Sequence, residues 1–171
     1  IGLATNDWIL SLDADEVLTP ELQNEILELK RSGELSKFDG YKLPRILLIG
    51  DTKVRFGGFY PDAQLRLIKK GSGQFNNRMV HEAIKIQGPV RTLHHHMLHY
   101  SYNSVEEFSQ AMEKFARLSA EEYKMQASSG LGEHKNKYQN PLACWFRPSW
   151  TFIYRFVFRG GFMDGALGLR L

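Results

Sequence analysis

The stretch WILSLDADEVL, residues 8–18, decides how the rest of the chain is read. Trp8 to Leu12 is a short, mostly apolar run, the pattern of a buried strand. It leads directly into Asp13, Asp15 and Glu16, three carboxylates within four positions. Carboxylates this close repel one another, so the turn either sits in water or holds something positive. On its far side Thr19 is a good N-cap, Pro20 suits the first helical position, and Glu21 favours the positive end of a helix. Leu22, Ile26 and Leu29 then share one apolar face, and Gly33 ends the helix. Strand, acidic loop and helix in this order predict an α/β unit. Its acids fall at the C-terminal edge of a strand, where open α/β sheets bind their ligands.

Moving outward, the 171 residues suffice for one domain with a real core, and 43% hydrophobic against 24% charged residues describes a globular chain. No apolar run approaches the ~18 residues of a membrane span, and no stretch reads as a signal peptide. A net charge of +3 gives no case for nucleic acid. Cys144 is the one cysteine, so no internal disulfide can form, which fits a reducing compartment. Charge is unevenly placed. Residues 1–36 hold eight acids against two bases, whereas residues 141–171 hold four arginines against one acid. The chain opens at Ile1 without methionine and enters a strand almost at once, which suggests a piece of a longer protein.

Further strands are predicted over residues 41–49, 64–69, 80–86 and 90–98, punctuated by Gly57-Gly58, Gly71-Ser72-Gly73 and Gly88-Pro89. Ser104-Val105-Glu106-Glu107 is a capping box. The helix it starts carries Phe108, Met112 and Phe115 on one face and runs to about Ser128. SSGLGEHKNKYQN, residues 128–140, reads as a polar loop, and the remainder is aromatic and basic. The expected organisation is residues 1–129 as the catalytic part and 130–171 as a loop with an amphipathic tail.

The acidic turn has several chemical readings. A calcium loop of EF-hand type needs a further ligand at Val17 and a glycine at Leu18, and has neither. A phosphatase of haloacid-dehalogenase type would use Asp13 as nucleophile and Asp15 as acid/base, but it also needs a late acidic pair for magnesium, and Asp51 has no second acid close by. A sugar-nucleotide site asks for less. A diphosphate leaving group is stabilised by a divalent cation, and hard cations prefer carboxylate oxygens. Asp15 would then bind the metal, while Asp13 would act through water or hold the nucleotide's ribose.

Four segments, DWILSLDADE, YPDAQLRLIKKGSGQFNNRMVHEAI, LHYSYNSVEEFSQAMEKFARLSA and RFVFRGGFMDGALGL, together resemble family 2 glycosyltransferases, most closely the bacterial lipopolysaccharide-core glucosyltransferase type. The resemblance covers nearly the whole chain, in order. It implies the C-terminal portion of a GT-A fold, a Rossmann-like mixed sheet flanked by helices, with the nucleotide-binding part preceding Ile1. It also implies an inverting transferase that needs magnesium or manganese. The donor would be a nucleotide-sugar, the sugar glucose, and the acceptor a saccharide or lipid-linked saccharide such as lipopolysaccharide core. The site would lie at the cytoplasmic face of the inner membrane. A magnesium-dependent phosphatase and a non-catalytic saccharide-binding domain are the alternatives.

Inversion needs a base on the face opposite the leaving group. Glu82, in VHEAI, matches the family's base position, with His81 beside it to orient base or acceptor. Asp62, in YPD, is the competing base. Arg66 alternates with Leu65 and Leu67, so it faces away from the core and toward diphosphate or acceptor. His99 matches the histidine of the family pattern H-x-S-Y-x-S as a metal or diphosphate ligand; a hydrogen-bonded core histidine is the other reading. His94, His95 and His96 are expected to alternate faces on a strand and lack the partners of a zinc site. The C-terminal aromatics, interleaved with Arg147, Arg155 and Arg159, suit a helix lying at a membrane surface or packing against another part of the protein.

Overall fold

A computed structural model describes residues 4–75, 84–128 and 141–171. Along the chain run β1 (Trp8–Leu10), β2 (Glu16–Leu18), α1 (Pro20–Arg31), β3 (Gly40–Leu43), β4 (Arg45–Ile49), β5 (Thr52–Val54), β6 (Gln64–Lys69), β7 (Gly73–Phe75), β8 (Ile84–Ile86), β9 (Val90–Thr92), β10 (Met97–Tyr102), α2 (Val105–Ser128), α3 (Pro141–Ile153) and α4 (Gly165–Arg170). The fold is mixed α/β, as the alternation of patterns predicts. The chain divides into two compact units, residues 1–48 with 59–101, and residues 49–58 with 102–171.

In the first unit, one sheet has the order β1-β6-β3-β9. The β1/β6 and β3/β6 pairs are antiparallel and β3/β9 is parallel, so this sheet is mixed. A second sheet sets β2, β10 and β4 side by side, with β2 antiparallel to β10. α1 is capped as predicted. Thr19 Oγ1 accepts from the Leu22 amide at 3.4 Å, and Gly33 follows the helix at φ 74°, where a side chain would be strained. Leu22 and Leu29 of α1 pack with Leu35, Tyr41, Leu43, Leu67, Leu93 and Met97 to form the core. The Tyr41 hydroxyl is satisfied inside this core by donating to the Leu35 carbonyl at 3.0 Å.

Two expected strands are each broken in two. Residues 41–49 form β3 and β4, interrupted at Pro44, which has no amide hydrogen to continue a ladder. Residues 90–98 contain β9 and the start of β10, interrupted over residues 93–96. In each case the chain leaves the first sheet and enters the second. The histidine triplet is therefore a corner rather than an alternating strand. Glu25 of α1 holds it, accepting from the His94 and His95 amides at 2.9 Å each. A further difference is that β2 intervenes between the acidic turn and α1, because Glu16–Leu18 pairs with β10 instead of remaining loop.

In the second unit α2 starts as predicted. The Ser104 hydroxyl accepts from the Glu107 amide at 3.1 Å, and Glu107 reaches back to accept from the Asn103 amide at 2.7 Å. Phe108 is buried edge-on against Tyr102, but Met112 and Phe115 are exposed. α3 contains Pro148 and passes into a wide helical turn over Tyr154–Phe158. Asp164 accepts from the Phe56 amide at 2.9 Å, and Arg155 Nε donates to the Gly57 carbonyl at 2.8 Å, tying residues 55–57 to the C-terminal helices. Gly168 of α4 lies so close to Gly161 that a Cβ there would collide with the Gly161 carbonyl. Among the described residues, no helix is long and apolar enough to cross a membrane.

Leu22 is fully buried at the centre of the core. Leu22→Ala is expected to destabilise the protein by about 2–5 kcal/mol, read by denaturant unfolding, since a methyl-lined cavity remains behind.

Candidate functional site

The acidic turn is closed on itself. The Glu16 amide donates to the Asp13 carbonyl at 3.1 Å, and the Asp13 amide donates to Glu16 Oε2 at 3.2 Å. Glu16 then begins β2, and its side chain is 0% exposed. A fully buried carboxylate needs cations and donors around it. Arg45 Nη1 supplies one at 3.0 Å and Arg66 Nη2 another at 2.6 Å, both on Oε1. Each arginine also reaches an outer acid. Arg66 Nη2 pairs with Asp13, while Arg45 donates to Asp62 Oδ2 from Nε at 3.0 Å and from Nη2 at 2.5 Å. Gln64 Nε2 donates to the other Asp62 oxygen at 2.6 Å. The result is a continuous chain of ion pairs, Asp13–Arg66–Glu16–Arg45–Asp62.

The strands explain this placement. Leu67 of β6 points into the core, so Arg66 points to the opposite face, where β1 delivers the turn; the Ser11 amide donates to the Arg66 carbonyl at 2.8 Å. Arg66 does face away from the core, but it is enclosed rather than solvated. Its Nε is buried and has no hydrogen-bond partner among the described residues.

His99 of β10 stands opposite Glu16 in the β2/β10 register, and its Nε2 lies 3.1 Å from Asp15 Oδ2. The Ser101 hydroxyl also contacts the ring, 2.9 Å from Nδ1. Burial, then the nearby Arg45 charge, hold the imidazole pKa below its usual value, against the opposing pull of Asp15 and Glu16. The lowered pKa favours the neutral imidazole, with Nε2 facing Asp15 and Nδ1 facing the Ser101 hydroxyl. For Arg45, burial opposes the charge, but Asp62 and Glu16 more than offset it and raise the guanidinium pKa.

The structure therefore gathers Asp13, Asp15, Asp62, Arg66 and His99 in one place. His81 and Glu82 lie outside the described residues. Two members escaped the sequence reading, Glu16 as a buried hub and Arg45. The available signal was Arg45's isolation in LPRILLIG, where a lone charge in an apolar run needs a buried partner. Four carboxylates face two guanidiniums and a neutral histidine, which leaves a formal charge of −2. Among the described residues no three His, Cys, Asp or Glu side chains are grouped to hold a metal ion. Asp15 and His99 are two donors that could hold a divalent cation, whose remaining positions would fall to ligand phosphates and water.

Comparison with known proteins gives relatives from Rickettsia. An uncharacterized glycosyltransferase of Rickettsia typhi is 28% identical over 178 aligned positions, covering 97% of this chain and 59% of the relative. Uncharacterized glycosyltransferases of Rickettsia felis and Rickettsia bellii are 29% and 28% identical, with 61% and 58% of their lengths covered. The chain thus spans about three-fifths of the length of the curated relatives it matches. No protein-family model matches it, and no solved structure is significantly similar.

Glu16→Gln leaves two enclosed arginines short of a counter-charge. It is expected to cost about 3–5 kcal/mol of stability, measured by denaturant unfolding. A second expectation concerns pH. Because the folded pKa of His99 lies below its unfolded value near 6.5, the unfolded chain binds the proton more readily. The His99 contribution to stability is then fully present above pH 6.5 and is lost as pH falls through the lower, folded pKa. His99→Gln, compared with the unaltered protein in chelator, is expected to flatten this acid-side decline of the melting temperature.

Proposed function

We propose that the protein transfers a sugar from a nucleotide-sugar donor to a saccharide or lipid-linked acceptor, with inversion at the anomeric carbon. The observation that carries this reading is the similarity of almost the whole chain to proteins named glycosyltransferases. The geometry of the acidic turn agrees with it. Asp15 and His99 would hold the divalent cation, magnesium or manganese, which when bound offsets the negative charge of the departing diphosphate. Asp13, held by Arg66, meets the ribose or a metal-bound water, and the Arg66 guanidinium adds positive charge on the side of the diphosphate. Residues 1–129 would carry this chemistry as the later part of a GT-A domain.

The acceptor hydroxyl attacks the anomeric carbon from the face opposite the diphosphate, and its proton passes to a carboxylate. Both oxygens of Asp62 already accept hydrogen bonds, from Arg45 and Gln64, which makes it an anchor for the ion-pair chain. Glu82 is therefore the base in this proposal, with His81 orienting it. Lipopolysaccharide core is the proposed acceptor and glucose the proposed sugar, at the cytoplasmic face of the inner membrane.

The test is release of nucleoside diphosphate from a panel of nucleotide-sugars by the full-length protein, with and without saccharide acceptor. Transfer that needs a divalent cation is expected. Asp15→Asn should lower kcat by ~10²–10³, on the scale of a lost electrostatic stabiliser. Glu82→Gln should lower it by ~10²–10⁴ with donor affinity nearly unchanged. No turnover with any donor would overturn the reading, and a severe loss in Asp62→Asn beside a mild one in Glu82→Gln would move the base to Asp62.

A further inference from the structure

The C-terminal helices carry two adjacent stripes. Phe146, Trp150, Tyr154 and Phe158 recur every four residues, and Arg147, Thr151, Arg155 and Arg159 recur one position later. A four-residue step advances by slightly more than one helical turn, so each set forms a continuous stripe, and the two lie side by side. The wide turn over Tyr154–Phe158 takes more residues per turn than an α-helix and so corrects the drift that a four-residue repeat accumulates. The aromatic stripe faces outward: Phe146 is 70%, Trp150 61% and Phe158 68% exposed. Phe158 meets Trp150 at 6.2 Å and Tyr154 at 6.4 Å between ring centroids, making one apolar surface.

The arginine stripe borders a cavity of about 540 Å³ in which Arg147 and Arg155 stand among Phe152, Phe156 and Leu171. Arg155 is half-buried there, and burial and the adjacent Arg159 charge both lower its pKa. Residues 141–171 hold one acid, Asp164, which accepts from the backbone amides of Arg55 and Phe56. Exposed aromatics beside a stripe of arginines, Arg147 and Arg159 exposed and Arg155 half-buried, match the two layers of an anionic bilayer surface, the acyl boundary and the phosphates.

We infer that residues 146–171 form a docking surface for an anionic phospholipid membrane, with the aromatic stripe in the interface and lipid phosphates at the Arg147–Arg155 cavity. This goes beyond transfer itself and places the protein against the surface on which a lipid-linked acceptor would be found. No span is needed: contact is peripheral and salt-sensitive.

The test is co-sedimentation of the full-length protein with vesicles of phosphatidylcholine alone or with added phosphatidylglycerol. Binding to the phosphatidylglycerol vesicles, weakened by salt, is expected. Arg147→Gln and Arg159→Gln should each weaken it by about fivefold. Phe146→Ser and Phe158→Ser should release the protein while its melting temperature and oligomeric state stay unchanged. Equal binding or no binding to both vesicle types overturns the inference. So do serine variants that keep vesicle binding but lower the melting temperature or change the oligomeric state, because protein then covers the stripe. Vesicle binding is read without donor or acceptor, so its failure and the failure of sugar transfer are separate results.

Discussion

A carboxylate with no exposure to water governs the first unit of this protein. Glu16 is tolerable only because Arg45 and Arg66 both reach one of its oxygens and the Asp13 amide donates to the other. Removing charges from water costs more than a single pair usually returns, so a buried hub of this kind rarely adds stability on balance. Its effect is to fix position. Arg66 cannot serve Glu16 without also holding Asp13, and Arg45 cannot do so without holding Asp62. Side chains from a turn, three strands and a loop are thereby constrained by one another, and the outer acids are presented to solvent from a rigid base.

The frame around the hub is built by strands that change sheets together. Pro44 ends β3 in the first sheet and lets β4 begin in the second, while residues 93–96 do the same between β9 and β10. The Met97 amide donates to the Pro44 carbonyl at 2.8 Å, so the two crossings support one another. α1 braces the second crossing from both ends: Glu25 holds the His94 and His95 amides, and the Thr19 hydroxyl donates to the His96 carbonyl at 2.8 Å. Leu43, Leu93 and Met97, which flank the two crossings, share their apolar cluster with Leu22 and Leu29 of α1.

What was legible in the sequence was local. The cap at Thr19, the stop at Gly33 and the box at Ser104 depend on neighbours within four residues, and each appears where its pattern places it. Pro44 was legible in principle, since a missing amide hydrogen interrupts any ladder, but an apolar run from residue 41 to 49 masks the break. The histidine corner was not legible, because its hydrogen bonds come from Glu25, some 70 positions away in the chain. For the same reason Asp13, Asp15, Arg66 and His99 could be named as candidates by type and pattern, whereas the hub that joins them could not. Glu16 reads as one more surface acid until Arg45 and Arg66 are known to meet on it. Met112 and Phe115 show the converse: a regular apolar spacing identifies a helical face but not what covers it.

The register of β2 against β10 has a consequence for how such a chain can vary in length. His99 stands beside Asp15 because Glu16, Val17 and Leu18 pair with His99, Leu98 and Met97 one for one. Side chains alternate along a strand, so one residue gained or lost between the corner and His99 turns the imidazole to the opposite face and puts a neighbour in its place. The corner itself offers no slack, being pinned by Glu25 and Thr19. A change of length within the short segment 93–99 would therefore break the site even where every side chain named in it was kept.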